Sequence, residues 1–421
     1  MFDTVLKIPQ EIAGFPVFGV GLVLAAWCLF GLILLVSVAR RHGFGNELLS
    51  YLPLLVLVAA AVIWFLPKLC HDGSLPIRGY GVMLLIAVVS GTTLLAWRAK
   101  RVGLDPDTMV SLVLWMFVPG IIGARLFYVI EYWSSFQRPT VGETVGAILN
   151  FSEGGLVLFG SFIAGMLGML FFVRKKRLPL LAIGDLLAPS MMLGLALGRI
   201  GCLAHGCCFG GPCDLPWAVT FPQGSPVYEQ QLARGQLWGF SLDVDPTAPP
   251  VVASVDADGD AARIGLRPGD RLVRINGQAV RNAGEVSWHL QSAASRGTTI
   301  RLETDRGRLA ALATLPRPPR SLPVHPTQIY SSINALLICL LLLAYAPFRR
   351  RDGEVFALML TVYPITRFLL EVIRTDEGSS LRTGLTISQN ISLLILLLIV
   401  GLWAFVLKQP RGAALAARPE S

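Results

Sequence analysis

Four stretches of this sequence combine arginine, histidine, tyrosine and glycine in patterns that could bind an anionic head group. In chain order they read 78–81 (RGYG), 154–160 (GGLVLFG), 198–210 (GRIGCLAHGCCFG), and 325–330 (HPTQIY) together with 367–374 (RFLLEVIR). Recognition of a phosphate requires cations and hydroxyl or amide donors in one place. The stretches therefore predict a phosphate-binding site, provided that the fold gathers them at one face of the molecule.

Each charged or polar group in these stretches also has an ordinary explanation. Arg367, Glu371 and Arg374 are spaced i, i+4, i+7, which predicts one shared helical face and is equally typical of an intrahelical ion pair. Arg199 could be a snorkelling residue at a helix end, and Tyr80 could belong to an interfacial aromatic belt. His325 could make only a loop hydrogen bond. The prediction of a binding site depends on the set as a whole.

Four of the seven cysteines cluster at 202–213, in the same stretch as Arg199. Their spacing lacks the C-x-x-C knuckle that is typical of zinc sites, so the sequence predicts no metal here. On an oxidising face of a membrane, disulfides are favoured over zinc. Free, packed cysteines are the remaining alternative.

The composition is that of a membrane protein. The 421 residues are 53% hydrophobic and 15% charged, with a mean hydropathy of +0.61; soluble domains carry about 25% charged residues. We predict nine transmembrane helices from apolar runs that are long enough to cross a bilayer. The runs are 15–38, 51–69, 79–97, 108–130, 155–173, 179–198, 328–347, 354–373 and 386–407.

Basic residues follow every second apolar run, as in 40–41, 98–101, 174–177, 349–351 and 408–411. The positive-inside rule then places the N-terminus outside and the C-terminus in the cytoplasm, with the first run retained as an anchor. This distribution explains the net charge of +9 without nucleic acid as a partner.

The long outward segment 199–327 contains a stretch of soluble character. Residues 250–281 predict a strand at 251–255, a GLRPGD stretch, a second strand at 271–275 and a tight Asn276-Gly277 turn, and they resemble a PDZ domain, an α+β fold. The resemblance implies a long helix at 284–294 and closing strands within 298–315. It also implies a peptide-carboxylate loop formed by Leu237, Trp238, Gly239 and Phe240, although these residues could instead be a plain linker.

The order of the four stretches resembles the prolipoprotein diacylglyceryl transferase family over residues 77–407, apart from the PDZ-like insert. The resemblance implies a polytopic α-helical membrane protein with a seven-helix transferase core and two additional N-terminal helices. The implied parts are 1–76 (additional helices), 77–235 and 319–421 (transferase core and cytoplasmic tail), and 236–318 (periplasmic PDZ-like domain).

The family activity implied is transfer of diacylglyceryl from phosphatidylglycerol to the lipobox cysteine thiol of prolipoproteins, with release of glycerol 1-phosphate. It implies a bacterial inner-membrane location, phosphatidylglycerol and lipobox signal peptides as partners, and no soluble cofactor. A periplasmic peptide or C-terminus would be the partner of the PDZ-like domain.

The family roles carry over to matching positions. Arg199 and Arg367 would hold the phosphate, and His325 or His205 would take part in proton transfer. The residues implied in binding the lipid are Tyr80, Gly155, Phe159, Gly201, Gly210, Gln328, Tyr330, Glu371 and Arg374.

The sequence departs from the family pattern at four of its positions, one of which is His205 in place of the second Asn of the motif. Phe159 stands where many members have His or Tyr, and Cys202 and Cys207 stand where they have Asn and Glu. Phenylalanine cannot move a proton. Two alternative functions therefore remain besides the transferase. The first is a catalytically degenerate relative that binds lipid and acts as an envelope adaptor. The second is an enzyme that uses another thiol or alcohol acceptor.

Overall fold

The long apolar runs of the chain form helices, because a helix satisfies every backbone polar group within its own segment. The computed structural model describes residues 4–12, 14–42, 46–64, 66–70, 73–150, 155, 157–242, 247, 249–312, 318–374 and 384–412. The helices are α1 (Leu22–His42), α2 (Asn46–Trp64), α3 (Gly79–Arg101), α4 (Pro106–Glu131), α5 (Trp133–Phe136), α6 (Val141–Leu149), α7 (Leu158–Lys175), α8 (Leu180–His205), α9 (Pro226–Ala233), α10 (Asp260–Arg263), α11 (Ala283–Arg296), α12 (Thr327–Tyr345), α13 (Glu354–Glu371) and α14 (Ile387–Lys408).

Ten strands accompany the helices. They are β1 (Thr4–Pro9), β2 (Glu11–Ile12), β3 (Phe15–Pro16), β4 (Ser74–Arg78), β5 (Phe240–Leu242), β6 (Val252–Val255), β7 (Leu272–Ile275), β8 (Gln278–Ala279), β9 (Ile300–Thr304) and β10 (Gly307–Leu312). Short 3₁₀ turns cover Leu66–Leu69, Gln236–Trp238 and Ala346–Phe348.

Each of the nine predicted apolar runs overlaps one helix. Among the described residues, five helical stretches are long and apolar enough to cross a membrane: Gly79–Arg101, Pro106–Glu131, Leu180–His205, Thr327–Phe348 and Ile387–Lys408. The chain is therefore a helical protein of multi-pass type, and spanning by α1, α2, α7 and α13 stays a prediction. The predicted outward loop 131–154 contains α5 and α6, the latter capped by the Thr140 side chain.

The chain divides into two compact units, each described by itself. The N-terminal unit comprises Phe2–Val82 and Pro119–Ala164. In it, β1 pairs antiparallel with β4 and α1 packs against α2. The α4 and α7 backbones approach closely where Gly123 faces Gly160, because a Cβ on either glycine would overlap the other's carbonyl. Small residues at such crossings are typical of membrane helices.

The C-terminal unit comprises Met83–Val118 and Gly165–Ser421, and α8 lies at its centre. Helix α8 packs against α12 and α13, and α13 packs against α14. One hydrophobic cluster joins the first half of α8 to α3, α4 and α7, and a second joins its middle to α12 and α13. Helix α8, which carries Arg199 near its C-terminal end, is therefore packed along its first half and its middle.

The segment from α9 to β10 has a hydrophobic cluster of its own, with Tyr228, Leu272, Leu290 and Leu302 among its members. Its sheet has the order β10-β9-β7-β8, beside a β5–β6 pair and the amphipathic helix α11. The Asn276-Gly277 turn has φ of +51° and +81°, as a two-residue hairpin requires, and α11 covers the predicted helix 284–294.

The sequence analysis missed Asp185, a fully buried carboxylate on α8 that caps α13. Its oxygens accept hydrogen bonds from the backbone N–H groups of Gly353 (2.8 Å) and Phe356 (2.9 Å), and Arg349 Nε lies 3.7 Å away. Arg98 donates to the Asp185 carbonyl (3.0 Å). A carboxylate at a helix N-terminus is stabilised by the unpaired N–H groups of the first turn, so Asp185 fixes where α13 begins.

Replacing Asp185 by alanine should therefore destabilise the C-terminal unit. Two N–H groups would lose their acceptor and Arg349 a nearby countercharge in a buried place, which costs about 2–4 kcal/mol of unfolding free energy. Thermal unfolding in detergent measures the loss. Asp107→Ala, at an exposed position in the first turn of α4, is the matched control and should change stability by less than about 0.5 kcal/mol. Equal melting temperatures for the two variants would contradict the capping role.

Candidate functional site

The loop that follows α8 is fixed by the segment that begins α12. Helix α8 ends at His205, and Gly206 adopts a φ of +84° while its N–H bonds to the Cys202 carbonyl. Beyond it, the Thr327 hydroxyl donates to the Cys208 carbonyl and the Gln328 amide donates to the Cys207 carbonyl, both at 2.7 Å. The GRIG and HPTQ stretches, more than a hundred residues apart in sequence, are thus joined side by side.

Gly210 lies at the closest point of this junction. Its N–H donates to the His325 carbonyl at 3.0 Å, and a Cβ placed on it would lie 2.6 Å from His325 Cβ and 2.8 Å from Thr327 Cγ2. No side chain fits there unless the two segments separate. Gly201, the other predicted glycine of this stretch, is buried within α8.

We expect Gly210→Ala to lower the free energy of unfolding by about 1–3 kcal/mol. The added methyl group would clash with His325 and Thr327, and relieving the clash requires the two segments to move apart. Thermal unfolding in detergent is the measurement. Gly401→Ala is the matched control, since a Cβ at that position in α14 meets nothing within 4 Å. If Gly210→Ala and Gly401→Ala both have the wild-type melting temperature, the close packing at Gly210 does not contribute to stability.

Two arginines meet at a buried glutamate near the same loop. Glu371, the last residue of α13 and only 2% exposed, lies with its Oε2 2.7 Å from Arg367 Nη1 and 3.3 Å from Arg374 Nη1. Thr386 at the start of α14 donates to Glu371 Oε1 (3.3 Å), and Arg367 donates to the Ser388 hydroxyl (3.0 Å). Glu371 therefore holds both guanidinium groups in defined positions.

The prediction that Arg374 continues the helical face of Arg367 and Glu371 is wrong in one respect. Helix α13 ends at Glu371, and the backbone of Arg374 pairs with Gly210 in an isolated β-bridge. The Gly211 N–H donates to the Ile373 carbonyl at 3.0 Å. Because the chain leaves the helix to pair with the loop after α8, Arg374 reaches Glu371 from outside the helix, and this pairing brings the loop to the arginine cluster.

Positive charge exceeds negative charge at this place. Arg199 on α8 is half-buried and lies within electrostatic range of Arg374, and Arg367 lies within range of both. Among the described residues, Arg367 and Arg374 thus share the carboxylate of Glu371, and Arg199 adds a third positive charge nearby. Such an excess of fixed cations favours an anion that carries phosphate oxygens.

Polar side chains of the HPTQIY stretch lie around the loop. His325 Nδ1 is 3.4 Å from the Tyr330 hydroxyl, which accepts a hydrogen bond from Trp217 Nε1 (2.7 Å). Gln328 is fully buried, and its Oε1 has no hydrogen-bond partner among the described residues. A buried acceptor of this kind is costly unless a ligand satisfies it. His205 is half-buried at the last position of α8.

Three cysteines meet at the end of α8. The Sγ atoms of Cys202, Cys207 and Cys208 all lie within 4.8 Å of one another, and all seven cysteines of the chain are free thiols in the structure. Cys213, which is buried, is not part of this group. Hydrogen bonding from the other two thiols and the charges of Arg199 and Arg374 lower the pKa of the Cys208 thiol.

The predicted residues of the other stretches belong to the N-terminal unit. Tyr80 lies in the first turn of α3 and is 41% exposed. Gly155 has a φ of +83°, and a Cβ on it would collide with Tyr128 and with Arg125 Nη1. The side chain of Phe159 and the residues 151–154 lie outside the described part of the chain.

Arg125 is a buried cation that the sequence analysis missed. It donates to the carbonyls of Ala147, Ile148, Asn150 and Gly155, at distances of 2.7 to 3.1 Å. It therefore caps the C-terminus of α6, where cations are favoured, and holds the glycine stretch in place. An arginine inside the apolar run 108–130 was the signal that could have revealed it.

The residues of the predicted peptide-carboxylate loop pack into the hydrophobic cluster of the segment from α9 to β10, so they are not a plain linker. Trp238 and Phe240 belong to its hydrophobic cluster, with Leu237 packed against them, and Gly239 has a φ of +80°. The N–H groups of Trp238, Gly239 and Phe240 donate to the carbonyls of Gly235 and Gln236. In this conformation those N–H groups are already satisfied.

Comparison with known proteins gives one family. The profile of the family described as "Prolipoprotein diacylglyceryl transferase" matches residues 67–406. A phosphatidylglycerol–prolipoprotein diacylglyceryl transferase of Rhodopirellula baltica is 33% identical over 437 residues, which cover 94% of this chain and 87% of that protein. A protein of the same name from Clostridium tetani is 24% identical over 80% of this chain and 96% of its own length. One from Trichormus variabilis is 38% identical over 37% of this chain and 54% of its own.

Proposed function

Because the chain belongs to the prolipoprotein diacylglyceryl transferase family, we propose that it transfers the diacylglyceryl group of phosphatidylglycerol to the lipobox cysteine of prolipoproteins. The thiol sulfur forms a bond to the terminal glyceryl carbon, and the bond from that carbon to the phosphate oxygen breaks. The products are a thioether and glycerol 1-phosphate.

The charge change of this reaction explains what the site must supply. The leaving oxygen keeps the electron pair of the broken bond, so the phosphate passes from a diester with one negative charge to a monoester with two. Preorganised cations that meet this developing charge lower the barrier. The thiol must also lose its proton, because the thiolate is the nucleophile.

The observation that carries the proposal is the pairing of two arginines with one buried carboxylate, with a third arginine within electrostatic range of both. Arg367 and Arg374 are fixed by Glu371, and the charge of Arg199 acts on both. We assign the phosphate to Arg199 and Arg367. Glu371 and Arg374 orient Arg367. The ion pairs of Glu371 with both arginines keep the guanidinium of Arg367 from turning away when no lipid is bound.

Gln328 and Tyr330 are assigned to the glycerol part of the head group. The unpaired Gln328 Oε1 accepts a hydrogen bond from a glycerol hydroxyl, and the Tyr330 hydroxyl offers a second polar contact. Tyr80, Gly155, Phe159, Gly201 and Gly210 remain assigned to lipid binding by the family pattern alone. Proton acceptance is assigned to His325, whose ring lies against Tyr330, with His205 as the alternative.

Complementation of a transferase-depleted bacterial strain tests the activity, together with transfer of labelled diacylglyceryl from phosphatidylglycerol to a lipobox peptide by the purified chain. We expect growth and a labelled thioether product. A folded chain that binds lipid but yields no product would overturn the assignment in favour of the envelope adaptor. Transfer only to a small thiol or alcohol would support the enzyme with another acceptor.

The insert is proposed to be a PDZ-like domain covering 236–318. The proposal is supported by the order of its elements, from β5 and β6 through α10, β7, β8 and α11 to β9 and β10. Peptide binding at Leu237–Phe240 requires the N–H groups of this loop to exchange their internal hydrogen bonds for a carboxylate. Fluorescence anisotropy with a library of C-terminal peptides, on the full chain in detergent, tests this. The same peptides with amidated C-termini are the control, and equal binding of both sets would contradict a carboxylate loop.

The proposed location is the bacterial inner membrane, with the N-terminus and the insert in the periplasm and the C-terminus in the cytoplasm. It is supported by the basic clusters after every second apolar run. Alkaline phosphatase fused after Ser421 should be inactive, and the same enzyme inserted at 257–258 should be active. The reverse pattern would contradict the orientation.

A further inference from the structure

The cysteine cluster at the end of α8 offers three sulfurs to one point, and no part of the transferase proposal uses them. The Sγ atoms of Cys202, Cys207 and Cys208 are mutually within 4.8 Å. A metal–sulfur distance of about 2.3 Å places the three sulfurs of a trigonal site about 4 Å apart. We propose that these three cysteines bind one soft monovalent metal ion, Cu(I), as a three-coordinate thiolate site.

The backbone is shaped to produce this convergence. Cys202 lies in the last turn of α8, and the chain then reverses through Gly206, whose φ is +84°. Cys208 has a φ of +59°, a left-handed conformation that non-glycine residues seldom adopt and that the surroundings must hold in place. The hydrogen bonds from Thr327 and Gln328 to the carbonyls of Cys208 and Cys207 do so. The reversal brings together sulfurs whose sequence spacing does not resemble a zinc knuckle.

The ligand set favours Cu(I) over the alternatives. Structural zinc sites are almost always tetrahedral with four protein ligands, whereas among the described residues this group contains three cysteines and no histidine or carboxylate. Soft thiolates select Cu(I) among the first-row ions that remain. A disulfide would use two of the three sulfurs and leave the third without a role.

The charge around the cluster suits a thiolate complex. Three thiolates and one Cu(I) carry a net charge of −2, and the positive charges of Arg199 and Arg374 act on Cys208. Two fixed cations therefore offset part of the charge of the complex in a half-buried place, where an uncompensated anion would be costly.

Equilibrium competition with a chromophoric Cu(I) chelator, under anaerobic and reducing conditions, tests the proposal on the full chain in detergent. We expect the wild-type chain to retain one Cu(I), and Cys202→Ser, Cys207→Ser and Cys208→Ser each to lower the affinity at least about 100-fold. Cys28→Ser is the matched control, an exposed cysteine on α1 whose loss should leave copper binding unchanged. Equal retention by all four variants and the wild type overturns the proposal.

Two further measurements keep the test decisive if a serine variant does not fold. X-ray absorption of the copper-loaded wild type should show a first shell of three sulfurs, and nitrogen or oxygen ligands there would overturn the site. Alkylation of freshly isolated membranes in the presence of an excess of Cu(I) chelator should modify all three cysteines without prior reduction. Protection of two of them until a reductant is added would establish a disulfide and likewise overturn the proposal.

Discussion

Arg199→Ala should lower the transfer of diacylglyceryl from phosphatidylglycerol to a lipobox peptide by about 1,000-fold. Removing one preorganised group that meets charge developing in the transition state costs about 10²–10³ in rate, and a cation on a departing phosphate costs more. The loss should fall mainly on kcat, because the leaving phosphate gains its second charge only as the bond breaks. The measurement is initial rate against phosphatidylglycerol concentration in mixed micelles.

Two variants frame this result. Arg199→Lys keeps the charge but loses the two-pronged geometry of the guanidinium, so we expect it to recover part of the rate. Arg263→Ala removes an exposed arginine that pairs with Asp260 in its own helix α10, and this variant should transfer at the wild-type rate. An Arg199→Ala chain with wild-type kcat would remove the arginine from the mechanism, whatever its effect on stability.

Elements with strong local signals were predictable from the sequence. The Asn276-Gly277 turn requires two residues with positive φ, which this pair tolerates, and the structure has that turn between β7 and β8. The apolar runs predict helices because a helix satisfies all its backbone polar groups within its own segment. In both cases the conformation is determined by interactions among residues that are close together in the sequence.

The junction of the two distant motifs was not predictable in the same way. Gly210 meets His325, and Thr327 bonds to Cys208, only because α8 and α12 pack side by side. Residue types suggested that these groups share a phosphate, but no local pattern fixes a contact across more than a hundred residues. The end of α13 at Glu371 has the same origin, since pairing of Arg374 with Gly210 competes with another helical turn.

Buried charges that serve the scaffold were the main omission. Arg125 and Asp185 lie in apolar runs, as several of the proposed substrate-binding residues do, yet their partners are helix ends, at α6 and α13 respectively. A charged residue in an apolar run can cap the unpaired backbone groups of a helix end, or it can bind a ligand. The sequence alone does not distinguish these two roles. Glu371 has both a scaffold role and a proposed role in the site, because it stabilises two arginines and orients one of them, Arg367, toward the phosphate.

Glu371→Gln is therefore expected to reduce both stability and rate. The neutral amide leaves the guanidinium groups of Arg367 and Arg374 close together without their shared countercharge, which costs about 3 kcal/mol for a buried pair broken on one side. Arg367 then turns away from Arg374, and kcat falls about 100-fold because a displacement of about 1 Å is enough for such a loss. The KM for phosphatidylglycerol should not rise, since the site gains net positive charge.

The variant Glu354→Gln distinguishes an effect on the orientation of Arg367 from an effect on folding stability. Glu354 is also a buried carboxylate of α13, at its opposite end, where it accepts hydrogen bonds from the Arg350 N–H (2.9 Å) and the Tyr345 hydroxyl (3.1 Å). Its loss should lower the melting temperature by an amount similar to that of Glu371→Gln but leave kcat unchanged at a temperature where both variants are folded. If both variants lose stability and both keep the wild-type kcat, Glu371 only supports the fold, and the orientation of Arg367 does not limit the reaction.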